Sequence, residues 1–147
     1  ISYYNEEYTD ILQEYFIPLE NFDTFIDELR EVMLKNNVNL LNVTTRYISS
    51  WDEVLLNYNP VDMVAVVLYM NVGLDKESQK QVKAYTQELI DITDLLNGRY
   101  YLIYQNYATK EQMYKIYKNT DLFIQIKQKY DQKGLFSNKF SEKYNLK

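Results

Sequence analysis

The segment that most constrains this chain is Met63–Met70, where eight apolar residues, MVAVVLYM, stand in succession between Asp62 and Asn71. The run is far short of the ~18 residues a membrane helix needs, and it is too uniformly apolar for a strand wetted on one face. Apolar on both faces, it therefore reads as a strand at the centre of a sheet, and the rest of the chain must supply its neighbours. With 147 residues there is material for one sizeable core and not for two.

The neighbours are legible from periodicity. Ile11–Ile17 is a short β-rich run that Pro18 ends, because proline donates nothing to a ladder and restricts the residue before it. Phe22, Phe25, Ile26, Leu29, Val32 and Met33 recur at three and four, which predicts a helix stopping near Asn36 and Asn37. A second strand follows, with Leu41, Val43, Thr45 and Tyr47 on one face and Asn42, Thr44 and Arg46 on the other. Ser49–Pro60 reads as a long connection in which Trp51, Leu55 and Leu56 tuck back. After the central strand, Asp75 is placed to cap a long helix with the stripe Val82, Tyr85, Leu89, Ile92 and Leu96, and Asn97-Gly98 is its stop. Tyr101–Tyr107 alternates and predicts a fourth strand, with Tyr101, Ile103, Gln105 and Tyr107 facing one way. Thr109 with Gln112 makes a capping box, Leu122, Phe123, Ile126 and Tyr130 form a last helical stripe, and Gly134 permits a left-handed turn into the tail.

The order strand, helix, strand, strand, helix, strand predicts an α+β fold with a ferredoxin-like antiparallel sheet, residues 21–36 and 76–96 covering one side, and further C-terminal helices. Residues 1–147 are expected to form a single domain. The open side is expected to carry the polar face of the Arg46 strand.

Composition eliminates much chemistry. There is no histidine and no cysteine, which excludes a histidine base, thiolate catalysis and the usual zinc and iron ligand sets within this chain. Three glycines provide neither a Walker loop nor a dinucleotide turn. The net charge of −5 opposes capture of a nucleic-acid backbone, although lysines crowd among aromatics from Lys110 to Lys147; helical spacing makes these a solvated face rather than a single-strand platform. Adjacent carboxylates such as Glu6 and Glu7, Asp27 and Glu28, or Glu88 and Asp91 would do acid and base work only if burial drove their pKa values apart. Asp91 and Asp94 read as the wet side of the long helix.

Three features stand above that background. Arg46, flanked by Thr44 and Tyr47, is either an exposed strand arginine that resists edge pairing or a guanidinium aimed at an anionic or developing oxyanion group. Tyr101, Tyr104, Gln105 and Tyr107 either line a polar pocket or simply pack on the sheet. Asn138 and Lys139 stand between Phe136 and Phe140, two aromatic anchors that either present the pair to a ligand or dock the tail. On the residues alone, an interaction or regulatory module of the same fold stays open.

Residues 127–140 (KQKYDQKGLFSNKF), preceded by residues 98–105 (GRYYLIYQ), resemble the C-terminal end of FAD-linked oxidoreductases of the vanillyl-alcohol-oxidase type, the group that includes sugar and lactone oxidases. Residues 14–18 (EYFIP) with Phe22 and Phe25, and residues 42–47 (NVTTRY), look like the opening strand, first helix and arginine-bearing strand of the same substrate domain. Where the family usually has proline after the aspartate, Gln132 follows Asp131. The resemblance implies that the chain is the C-terminal substrate, or cap, domain of a longer protein whose N-terminal domain binds FAD. It implies oxidation of an alcohol carbon of a sugar, lactone or similar substrate by hydride transfer to the flavin. Arg46 then looks like the active-site arginine, Tyr101, Tyr104 and Gln105 like the substrate-binding strand, and Asn138 and Lys139 like a tail pair reaching the cofactor. Many sugar-oxidising relatives carry a lysine on that pocket strand, and none lies between Gly98 and Ala108. The expected partners are the N-terminal FAD-binding domain, a small-molecule substrate and a further copy of the chain, with no nucleic acid and no membrane span. The expected location is cytoplasmic.

Overall fold

The computed structural model describes residues 7–147. Its centre is the antiparallel pairing of β1 (Tyr8–Pro18) with β3 (Met63–Gly73), in register along their full length from Tyr8 opposite Gly73 to Pro18 opposite Met63. β2 (Leu40–Ile48) pairs antiparallel with the other edge of β3, with an irregularity between Leu40 and Asn42. β4 (Arg99–Tyr100) pairs antiparallel with β1. The resulting order, β2-β3-β1-β4, is the ferredoxin-like arrangement that the element order predicts, and the run Met63–Met70 is interior as expected.

Two helices cover one face. α1 (Phe22–Lys35) follows a single 3₁₀ turn at Leu19–Asn21 and buries Phe25, Leu29, Val32 and Met33, four of the six residues of the stripe read from the sequence. It ends where Asn37 takes a positive φ of 48°, which asparagine tolerates better than most residues. α2 (Lys76–Leu95) starts at Asp75, whose carboxylate accepts from the backbone N–H groups of Glu77 and Ser78, both at 3.0 Å. Its buried side contains Val82, Tyr85, Leu89 and Ile90, and these meet Ile11, Tyr15, Ile17, Val66, Leu68 and Met70 of the sheet in the main core.

Asn97 stops α2 with φ 57°, and Gly98 completes the cap by donating its N–H to the Thr93 carbonyl at 2.7 Å; its lack of a side chain serves a second purpose. A Cβ on Gly98 would stand 2.7 Å from the carbonyl oxygen of Phe16, 2.8 Å from Thr93 Cγ2 and 2.9 Å from Ile17 Cδ1. Only glycine lets the chain pass this close to β1 on its way into β4.

The C-terminal third packs against the end of the sheet through α3 (Lys110–Ile116), α4 (Thr120–Tyr130) and α5 (Lys139–Lys143). The Thr109 capping box is present, with Gln112 N–H donating to Thr109 Oγ1 at 3.1 Å and Thr109 N–H to Gln112 Oε1 at 2.9 Å. Met113, Ile116, Tyr117, Tyr144 and Leu146 enter the main core. The turn after α4 is held by the Asp131 carboxylate, which pairs with Lys127 at 2.6 Å and accepts from the N–H groups of Leu135 and Phe136. Lys127, ahead of those backbone donors, keeps its carboxyl below the usual range. With Gly134 at φ 62°, these bonds shape the turn without a proline. No helix among the described residues is long and apolar enough to cross a membrane.

Five readings need correction. The strand predicted over Tyr101–Tyr107 stops at Tyr100, and only the N–H of Tyr101 continues the ladder, donating to the carbonyl of Glu14. In a strand Tyr101 and Tyr104 would face opposite ways, yet their rings meet edge to face at 5.1 Å, a contact incompatible with a two-residue period. The stripe Leu122, Phe123, Ile126 and Tyr130 is helical, but only Phe123 packs on the core, while Leu122, Ile126 and Tyr130 are exposed. Phe136 is likewise exposed and anchors nothing, whereas Phe140 packs on the core and on the Tyr144 ring. In the connection after β2, Leu56 tucks back as expected and Trp51 stays exposed, because Tyr58 takes the place against the sheet by stacking on Phe16. Asp91 and Asp94 also do more than meet solvent: Asp94 pairs with Lys115, and Asp91 accepts from Gln112, tying α3 to α2.

Two expectations follow. Gly98→Ala should lose about 1–3 kcal/mol through overpacking against backbone and core, read as a lower melting temperature in thermal unfolding. Burial raises the phenols of Tyr85 and Tyr144 to about 12 and those of Tyr15 and Tyr117 further. Folded values above the unfolded ~10 mean that this stability is complete below pH ~10 and is lost as pH climbs through the raised values. A spectrophotometric titration of tyrosinate should show an early exposed class, then a buried class appearing together with unfolding; one smooth transition near pH 10 would contradict the packing.

Candidate functional site

With α1 and α2 on one face, the register decides what the other face presents. Thr44, Val67 and Glu14 form one row across β2, β3 and β1, and Arg46, Ala65, Phe16 and Arg99 form the next, reaching β4. Phe16, Met63 and Ala65 are buried in a second, smaller cluster, with Ile48, Tyr58 and Tyr101 packed against them. The aromatic part is continuous: Phe16 stacks on Tyr58 at 4.5 Å, Tyr58 meets Tyr101 at 5.8 Å, and Tyr101 meets Tyr104.

Beside these rings lies one ion pair. Arg46 Nη2 donates to Glu14 Oε1 at 2.5 Å, reaching diagonally over β3 from the edge strand to the strand beyond it. The Glu14 side chain is 3% exposed and that of Arg46 is 61% exposed. One end of the pair is therefore sealed into the sheet, while the Arg46 side chain stays largely open to solvent. A carboxylate so deeply buried needs a cation and hydrogen bonds to be tolerated, and Arg46 supplies both. The structure places Arg46 on an edge strand and ties it to Glu14, which leaves both readings of it open.

Tyr104 completes the cluster. Its phenol is held above the ordinary range by burial first, then by the negative charge of Glu14 and by Tyr101, with Arg46 acting in the opposite direction. The phenol thus stays protonated and able to donate at neutral pH. Because β4 is so short, the β1 edge away from β3 has no ladder partner on the N-terminal side of Glu14, and residues 101–105 lie beside Gln13 and Glu14 there. Beneath this segment is a hollow of about 20 Å³, lined among others by Glu14, Tyr100, Tyr101, Tyr104 and Gln105. That is room for about one water, so a larger ligand must lie on the open face outside it. On the hollow's inner side, Gln13 donates to Thr86 at 2.7 Å and accepts from the Tyr15 hydroxyl at 2.6 Å, a buried network that fixes β1 against α2.

Of the residues singled out from the sequence, Arg46, Tyr101, Tyr104 and Gln105 belong to this neighbourhood. Asn138 and Lys139 do not. Asn138 caps α5, its Oδ1 accepting from Ser141 N–H at 2.8 Å, beside a separate hollow lined by Phe123, Phe136 and Phe140, and Lys139 is an exposed first-turn residue. Glu14, Phe16 and Tyr58 were not singled out. Glu14 did carry a signal: a lone carboxylate inside the β-rich run Ile11–Ile17 must find a partner when that run lies within a sheet. Tyr58 carried none, since its position rests on how the connection after β2 folds back. Among the described residues no group of carboxylates is placed to hold a metal ion.

No curated protein matches the chain. The family model for D-arabinono-1,4-lactone oxidase matches residues 3–144, nearly the whole sequence. The chain belongs to that family, a C-terminal domain of FAD-linked oxidases of the sugar and lactone type.

Proposed function

We propose that the chain is the substrate-binding cap of an FAD-dependent oxidoreductase that oxidises an alcohol carbon of a sugar, lactone or similar hydroxylated substrate. The observation that carries this reading is the sealed Glu14–Arg46 pair beside Tyr104 on the face that α1 and α2 leave uncovered. Arg46 is held at its inner end and free at its outer end, the arrangement a positioning guanidinium needs.

The residues fit one end of such a cofactor and not the other. The chain has no glycine-rich phosphate cradle, which matches a nucleotide held by an N-terminal FAD-binding domain. It does have an aromatic and hydrogen-bonding wall that suits the ring and substrate end. Asn138 Nδ2 and the exposed Lys139 ammonium are this chain's donors toward the cofactor in the same reading. Bound FAD supplies the two-electron acceptor.

The chain's own residues orient and stabilise. Arg46 donates a hydrogen bond to the substrate oxygen and fixes its position. Tyr104, kept neutral, donates a second hydrogen bond, and Tyr101 with Gln105 bounds the site. With no lysine between Gly98 and Ala108, activation of the alcohol does not come from an amine on this segment.

In the flavin-loaded full-length protein, Arg46→Ala should lower kcat/KM by about 10²-fold or more, corresponding to about 3 kcal/mol of transition-state stabilisation. Arg46→Lys keeps a cation opposite Glu14, and with it the fold, so its smaller loss isolates the planar fork from the charge. Steady-state rates, with flavin content and melting temperature measured beside them, decide the matter. Rates near wild type in both variants would leave Arg46 an edge-strand residue and remove it from the site.

A further inference from the structure

Resting on that reading of the open face, a question remains about which oxygen Arg46 meets, since a guanidinium suits a carboxylate as well as a neutral hydroxyl or carbonyl. The charges on this face answer it. Arg46 is opposed at 2.5 Å by a carboxylate sealed from solvent, so a ligand arriving from outside meets a dipole rather than a net positive charge. The other arginine in the same row, Arg99, turns back and donates to the carbonyl of Gly98 at 2.7 Å, at the C-terminal end of α2, where a cation is already matched by the helix dipole. Further along the face Asp10 accepts from Tyr69 at 2.5 Å and Asn71 at 2.7 Å, bonds that favour its ionised form. Among the described residues the face therefore combines two compensated cations, Arg46 and Arg99, the carboxylate of Asp10, and a set of neutral donors and acceptors: Thr44, Tyr69, Asn71 and Tyr104.

We propose that Glu14 is a specificity-determining residue: by cancelling the charge of Arg46 it makes the open face a receptor for neutral polyhydroxylated ligands, such as a lactone ring or a polyol, and a poor one for the carboxylate that appears when a lactone ring opens. A bare arginine at this place would accept the acid at least as well as the ring, because bidentate guanidinium–carboxylate pairing is the stronger contact. Discrimination arises from the repulsive partner behind Arg46 as much as from the attractive groups in front.

The test uses the flavin-loaded full-length protein and two probes, D-arabinono-1,4-lactone and the sodium salt of its ring-opened acid. Dissociation constants are read from perturbation of the flavin absorbance and from calorimetry, so that the result does not depend on turnover. Wild type should bind the acid at least tenfold more weakly than the lactone. Glu14→Gln, which preserves shape and one hydrogen-bonding oxygen, should shift that ratio tenfold or more toward the acid, and the double variant Glu14→Gln with Arg46→Gln should shift it back. A wild type that binds the acid as tightly as the lactone overturns the proposal, and does so even if Glu14→Gln fails to fold. An unchanged ratio in folded Glu14→Gln overturns it while leaving the substrate-cap reading in place, provided Arg46→Ala still weakens the lactone. Failure of wild type to bind either probe, or binding unaffected by Arg46→Ala, overturns both.

Discussion

The pairing of β1 with β3 is the constraint on which the other features depend. Its register runs unbroken from Tyr8 opposite Gly73 to Pro18 opposite Met63, and a slip of one residue would exchange the two faces of β1. Ile11, Gln13, Tyr15 and Ile17 would then leave α1 and α2, and Glu14 and Phe16 would enter the main core. The hydrophobic preference of one face thus fixes the polar content of the other. Arg46 can reach Glu14 only because β2 is registered on the far side of β3 and Thr45 and Val43 occupy the helix-facing positions between. The candidate site is in this sense a by-product of core packing, assembled from residues whose places are set by their neighbours.

This explains which parts were legible from residues alone. The apolar run Met63–Met70, the helical stripes of α1 and α2 and the caps at Asp75 and Thr109 are local signals, and each specifies its own element. The central position of β3 and the strand order follow from them with few alternatives. In Tyr101–Tyr107 the aromatic alternation that predicts a strand cannot be told from a series of rings that each seek a separate contact. Tyr101 turns to Phe16 and Tyr58, Tyr104 turns to Tyr101, and Ile103 is left exposed. The ladder ends where those contacts cost more to forgo than the backbone bonds of a short edge strand, whose carbonyl and N–H groups water can satisfy. Tyr58 was invisible for a related reason: its partner lies 42 positions earlier in the chain and no local pattern points to it.

The same distinction separates the candidate residues. Arg46 was visible as a cation in a strand, but its partner and its aim are tertiary facts. Asn138 and Lys139 were drawn out by their place between two phenylalanines, and the structure gives Asn138 a capping task that explains its side chain without any ligand. The proposal of a cofactor role for them therefore rests on the resemblance alone, whereas the proposal for Arg46 has geometry beside it.

Energetics supply the last step. Burying Glu14 removes most of a carboxylate's hydration, and an arginine whose side chain is mostly in water returns only part of that through attraction. An apolar side chain at position 14 would serve the fold at least as well, since Phe16 and Ala65 lie next to it in an already apolar cluster. Arg46, for its part, needs no partner on an exposed edge strand. The pair is thus poorly accounted for by stability on either side, unlike Lys127–Asp131, whose carboxylate also organises a turn. What the Glu14–Arg46 pair does provide is a guanidinium of fixed direction and cancelled charge on the one sheet face without helices. Fixed direction is worth little to a fold and much to a ligand, and it is on this ground that we propose the pair for binding rather than for the core.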